Sequence, residues 1–79
     1  VTAAPLVVEA AINGATTRRR NPHVPLTVEE LAADALACFD AGAAIVHHHV
    51  EPDLRGDDAA SRYLQVWEMV WAERPDALL

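Results

Sequence analysis

Lysine is absent from this 79-residue chain, cysteine occurs once, and no apolar run approaches the length of a membrane span. Each absence excludes something. Six arginines stand against twelve acidic residues, a formal net charge of −6, which argues against a general nucleic-acid binder because polyphosphate binding draws on basic surface. One cysteine cannot close an intramolecular disulfide and argues against a cysteine-based zinc cluster. A transmembrane helix needs about 18 or more consecutive apolar residues, whereas the 52% of apolar residues here are dispersed, so no membrane partner is expected. The N-terminus also lacks the basic region and apolar core of a secretory signal. These features give the expectation of a soluble, cytoplasmic chain.

What is abundant is alanine, at sixteen positions. Small side chains suit helices that lie close against a sheet, but they leave little bulk for a self-sufficient core. A chain of this size makes at most one small domain and buries only about 60% of its unfolded surface. The closing Ala77-Leu78-Leu79 reads as the start of another strand. Residues 1–79 are therefore expected to be the N-terminal piece of a single larger domain.

Along the chain, residues 5–12 form a mostly apolar run led in by proline, the pattern of a strand buried on both faces. Asn13-Gly14 supplies a turn, and residues 15–25, with three consecutive arginines and two prolines, form a loop longer than most strand-to-helix connections. Thr27-Val28-Glu29-Glu30 matches a capping box, in which hydroxyl and carboxylate each take the other residue's amide. Val28, Leu31, Ala35, Cys38 and Phe39 then recur on one helical face, and Gly42 is placed to end the helix in a left-handed conformation. Residues 43–50 make a second strand. Asp57 or Asp58 is expected to cap a second helix over residues 59–73, with Tyr63, Trp67, Val70 and Trp71 on one face, and Pro75 stops it before a third strand near Ala77. Strands alternating with helices predict an α/β fold with a parallel sheet. Without a Gly-x-Gly-x-x-Gly turn after the first strand, the dinucleotide-binding version loses its main support. The N-terminal part of a (β/α)8 TIM barrel, about three strands and two helices, is the architecture expected.

His47-His48-His49 closes the second strand. Alternation places His47 and His49 on one face and His48 on the other. Neutral imidazole is a good zinc ligand, and catalytic zinc sites commonly combine three protein ligands with an open position. In parallel α/β folds, chemistry gathers at the C-terminal strand ends, where this cluster lies. The plainer alternative is a solvated strand end, or metal bound adventitiously as by a tag. His48 is read as packed against the helices or supporting its neighbours, not as a ligand.

Ala11-Ile12-Asn13-Gly14-Ala15, Asn21-Pro22-His23-Val24-Pro25, Thr27-Val28-Glu29-Glu30 and the run from Asp40 through Gly42 to His47-His48-His49-Val50 follow one another in order. In that order and spacing the chain resembles the N-terminal part of the β-keto acid cleavage enzymes, the group that includes 3-keto-5-aminohexanoate cleavage enzyme. The resemblance implies a TIM barrel of roughly 250 residues, of which this chain would be about the first third. It implies one divalent metal, Zn2+, held by His47, His49 and a glutamate late in the family's chain. It implies that a β-keto acid condenses with acetyl-CoA to give acetoacetate and a new acyl-CoA, the metal serving as Lewis acid, in an enzyme that is a homo-oligomer at full length. The family's acidic base and carboxylate-binding arginine also lie later than this chain, so no catalytic residue falls within it. Thr16 matches the position of a glutamate in a member that takes an amino-substituted acid, and a threonine cannot neutralise an ammonium group. Glu51-Pro52-Asp53 stands where many members carry arginine after the histidines, which changes the charge at the mouth of the site. His48 replaces a residue that is often leucine or asparagine.

Asn13, at the end of the first strand, is a candidate substrate contact beside Thr16. Glu9 shares its face and either serves the site or makes a structural hydrogen bond. Arg18-Arg19-Arg20 could meet a carboxylate or coenzyme A phosphates, although such runs are more often solvated. Cys38 lies on the apolar stripe, and Trp67 and Trp71 read as packing residues. Two other functions compete: a metal-dependent barrel hydrolase, which would activate water and not use acetyl-CoA, and a non-catalytic metal-binding piece. A three-stranded piece by itself would expose sheet edges and associate.

Overall fold

The computed structural model describes residues 4–79. Its elements run β1 (Glu9–Ala11), α1 (Val28–Asp40), β2 (Ile45–His47) and α2 (Gly56–Glu73). β1 and β2 pair in parallel, with Glu9 opposite Ile45, Ala10 opposite Val46 and Ala11 opposite His47. On the far side of β2, Leu78 forms a single parallel bridge to Ile45, and the Val46 N–H donates to the Leu78 carbonyl at 3.0 Å. Both helices pack on one face of this small sheet. The core consists of Leu31, Ala32, Ala35 and Phe39 from α1, Val46 from β2, and Val66 and Val70 from α2. Glu9, Ala11, His47 and His49 are exposed on the other face. No described helix is long and apolar enough to cross a membrane.

α1 is bounded as its sequence specifies. The Glu30 N–H donates to Thr27 Oγ1 at 3.1 Å, and the Thr27 N–H donates to Glu30 Oε1 at 3.0 Å. At the other end Gly42, with φ of +109°, donates to the Phe39 carbonyl while Ala43 donates to that of Cys38, both at 3.0 Å. These crossed bonds are a Schellman closure, which turns the chain straight into β2. Cys38 packs against the core as a small apolar residue.

Four expectations need correction. The strands are much shorter than residues 5–12 and 43–50, because Leu6, Val7 and Val8 have no neighbour on their outer edge and are exposed, while beyond His47 a side chain takes over from the ladder. The third strand is reduced to the Leu78 bridge. α2 begins earlier than residue 59, with Arg55 as its N-cap and no side-chain cap, so Asp57 and Asp58 lie in the first turn and meet the helix dipole instead. Its buried stripe runs through Val66 and Val70, with Tyr63, Trp67 and Trp71 half-buried along one flank. The Trp71 indole N–H donates to the Ala77 carbonyl at 3.0 Å, fixing the reversal that returns the chain to β2.

Two consequences can be measured. Leu31 is 1% exposed at the centre of the core, so Leu31→Ala is expected to cost about 2–5 kcal/mol, read as a lower urea midpoint. The Thr27 N–H, with further help from the Thr27 hydroxyl, the Leu26 N–H and Arg18 and against a desolvation effect, holds Glu30 down from 4.5 to about 2. Folding therefore favours the Glu30 carboxylate. Its stabilisation is complete above pH 4.5 and is lost as pH falls from 4.5 towards about 2. Because Glu30 is solvent-facing, far-UV circular dichroism should show a small loss over that window, absent in Glu30→Gln and weaker at high salt.

Candidate metal centre

The two-residue period of an extended chain places the His47 and His49 rings together on the open face of the sheet. Their centroids are 4.9 Å apart with ring planes at 84°, and the two Nε2 atoms approach to 3.2 Å. One Nε2–H donating to the other nitrogen satisfies the pair as it stands. The same separation suits an ion: zinc–nitrogen bonds of about 2.0–2.1 Å at a tetrahedral angle put two ligand nitrogens about 3.3 Å apart. Among the described residues, no group of three His, Cys, Asp or Glu side chains comes together to hold a metal. The chain supplies a bidentate half-site.

Asn13 sets where His49 sits. Its Nδ2 donates to the His49 carbonyl and its Oδ1 accepts the His49 N–H, both at 2.8 Å. The side-chain amide thus acts as one more peptide unit of β1, carrying the pairing past the turn at Gly14, where φ is +52°. Asn13 is 9% exposed. One amide hydrogen and one oxygen lone pair remain for other partners.

His48 faces the opposite way, buried against α2. The Trp67 indole N–H donates to His48 Nε2 at 3.1 Å, and Tyr63 lies against the same ring with centroids 5.1 Å apart. An indole only donates, so His48 carries its proton on Nδ1, 3.3 Å from the His49 carbonyl. Burial pushes His48 below its ordinary value; the His49 carbonyl opposes that shift, and the neighbouring His47 and His49 add to it. The imidazole is a neutral peg holding the strand end to the helix layer. This contact was the part of the site that sequence reading missed, since Trp67 lies nineteen residues from His48 and reaches it only once α2 has docked.

A cleft of about 380 Å³ opens beside His49, between the loop after β1 and the loop after β2. Asn13 and Thr16 both line it, as do Thr17, Arg18, Glu51 and Asp53. Arg18 pairs with Glu30. Glu51 pairs with Arg62 through one oxygen, and its Oε2 is buried without a hydrogen-bond partner. Glu9 lies on the open face, and the structure gives it no role in the histidine pair.

Trp67→Phe leaves the buried Nε2 of His48 without its donor and is expected to cost about 1–3 kcal/mol in urea unfolding. Adding His48→Leu should recover part of that loss, because it removes the stranded acceptor. A combined loss smaller than the sum of the two single-variant losses would show the contact as described.

Comparison with known proteins places these features. A family model described as beta-keto acid cleavage enzyme matches residues 5–79. The chain is 38% identical over 76 residues to the 3-keto-5-aminohexanoate cleavage enzyme of Acetoanaerobium sticklandii, covering 94% of this chain and 28% of that protein. It is 40% identical over 76 residues to the protein of that name from Fusobacterium nucleatum, with the same coverage. It is 46% identical over 50 residues to the 3-oxoadipate:acetyl-CoA acetyltransferase of Cupriavidus necator, covering 62% of this chain and 18% of that protein. The chain thus spans little more than a quarter of the length of the first two relatives. A match over residues 5–79, with two relatives near 40% identity, shows that this chain belongs to the β-keto acid cleavage enzyme family.

Proposed function

We propose that this chain forms the opening strands and helices of a (β/α)8 barrel that condenses a β-keto acid with acetyl-CoA, yielding acetoacetate and a new acyl-CoA. His47 and His49 would hold Zn2+ through their Nε2 atoms, the third ligand and the catalytic base coming from later in the barrel. The observation that carries this reading is the 3.2 Å convergence of the two Nε2 atoms at the C-terminal end of a parallel strand. Zinc, when bound, supplies Lewis acidity towards the keto oxygen.

The chain's own residues do the positioning. Asn13 holds the His49 backbone, and His48, pegged by Trp67, keeps the strand end from twisting, so both ligand rings are presented before any ion arrives. Thr16 offers the cleft a hydroxyl and no charge. Of the substrates for which the relatives are named, the reading favours an acid without an amino group, as 3-oxoadipate is.

Calorimetric titration of the 79-residue chain with zinc should give one-to-one binding that disappears in the His47→Ala, His49→Ala double variant. Binding that survives the double variant would remove the metal from these residues. Asn13→Ala should weaken zinc binding by about tenfold, since supporting groups around ligands typically carry that much affinity. In the complete enzyme, product formation that depends on acetyl-CoA is expected; hydrolysis of substrate without it would favour a barrel hydrolase.

A further inference from the structure

We propose that the turn Arg18-Arg19-Arg20, on the rim of the cleft, binds phosphate groups at the nucleotide end of a coenzyme A thioester, with Arg19 and Arg20 supplying the guanidinium groups. The proposal rests on the reading above that acetyl-CoA is the co-substrate.

The first support is the distribution of charge. Four of the six arginines of this acidic chain are engaged. Arg18, Arg62 and Arg74 pair with Glu30, Glu51 and Asp40, and Arg55 donates to the carbonyls of Pro52 and Leu54. Among the described residues, Arg19 and Arg20 alone of the six form neither an ion pair nor a side-chain hydrogen bond, and both are exposed. Two adjacent unpaired guanidinium groups, in a chain with twelve acids, are a local exception to its field.

The second support is the built position of the turn. The Thr17 carbonyl accepts the N–H groups of Arg20 at 3.0 Å and Asn21 at 2.9 Å, and Asn21 Oδ1 takes the His23 N–H at 3.0 Å. Arg18 lines the cleft and is tied to Glu30 in the first turn of α1, so the turn is anchored between the cleft and that helix. Thr16 and Thr17 bring hydroxyls to the same wall.

The ligand chemistry follows from these two facts. A guanidinium forks onto phosphate oxygens, and neighbouring forks suit a group with several charged oxygens. The nucleotide end of coenzyme A carries a 3′-phosphate and a diphosphate, while its flexible arm lets the thioester reach a reacting centre well inside the rim. An extended nucleic acid would meet the field of a chain whose formal net charge is −6.

The 79-residue chain is titrated calorimetrically with coenzyme A, with 3′,5′-ADP, which carries phosphates without the arm, and with pantetheine, which carries the arm without phosphates. Binding of coenzyme A and 3′,5′-ADP that falls with salt, and weakens about tenfold or more in the Arg19→Gln, Arg20→Gln variant, is the expected result. Both residues are solvent-facing, and an unchanged circular dichroism spectrum of the variant confirms its fold. Unchanged coenzyme A affinity in that variant overturns the proposal, as does binding through pantetheine alone or failure to bind 3′,5′-ADP. Zinc titrations separate the two readings: the His47→Ala, His49→Ala variant should keep its 3′,5′-ADP affinity, and the arginine variant its zinc affinity.

Discussion

The side-chain amide of Asn13 occupies the place in the sheet where the next peptide of β1 would pair with β2. By giving and taking one 2.8 Å hydrogen bond with the His49 backbone, it lets β1 leave for its loop without freeing the end of β2. Everything in the candidate site depends on that substitution of side chain for main chain. A one-residue slip of β2 would carry His47 and His49 under the helices and bring His48 to the open face. The clamp lies where such a slip would start, and it leaves the cleft open where a continuing strand would have closed it.

The second constraint acts from the helix side. Val46 and His48 face α1 and α2, and Val46 is completely buried in the core. A buried imidazole is costly unless its nitrogens are satisfied. Here Trp67 donates to one nitrogen and the His49 carbonyl receives the other. That carbonyl is also where Asn13 donates, so the helix-side and loop-side contacts meet on one atom. The three consecutive histidines thus divide into two jobs by alternation alone: one pins the strand, two face outward together.

Charge is arranged around this centre with few free groups. The ion pairs Arg18–Glu30, Arg62–Glu51 and Arg74–Asp40 join the loop after β1 to α1, the loop after β2 to α2, and α2 to α1. Arg18–Glu30 and Arg74–Asp40 are solvent-facing and add little stability, while Arg62–Glu51 is half-buried; together they set which charges remain available at the cleft. Glu51 pairs with Arg62 through one oxygen and keeps the other without a partner. Thr16 brings no charge at all. Thr16 and Glu51 fall on the wall of the same cleft.

The sequence by itself determined α1 almost to the residue, because capping box, apolar stripe and C-terminal glycine are local signals that agree. It also determined the order of elements and the pairing of His47 with His49, since alternation along an extended segment needs no partner. Strand length was not legible in the same way: a ladder ends where its neighbour ends, and residues 5–8 read as strand although little pairs with them. The start of α2 was misplaced for want of a capping side chain to mark it. Only the tertiary structure decided that Asn13 would clamp His49, that Trp67 would reach His48, and that the loops after β1 and β2 would enclose a cleft. Those contacts join residues nineteen and thirty-six apart, and they exist only once the parallel register and the docking of α2 have set their distances.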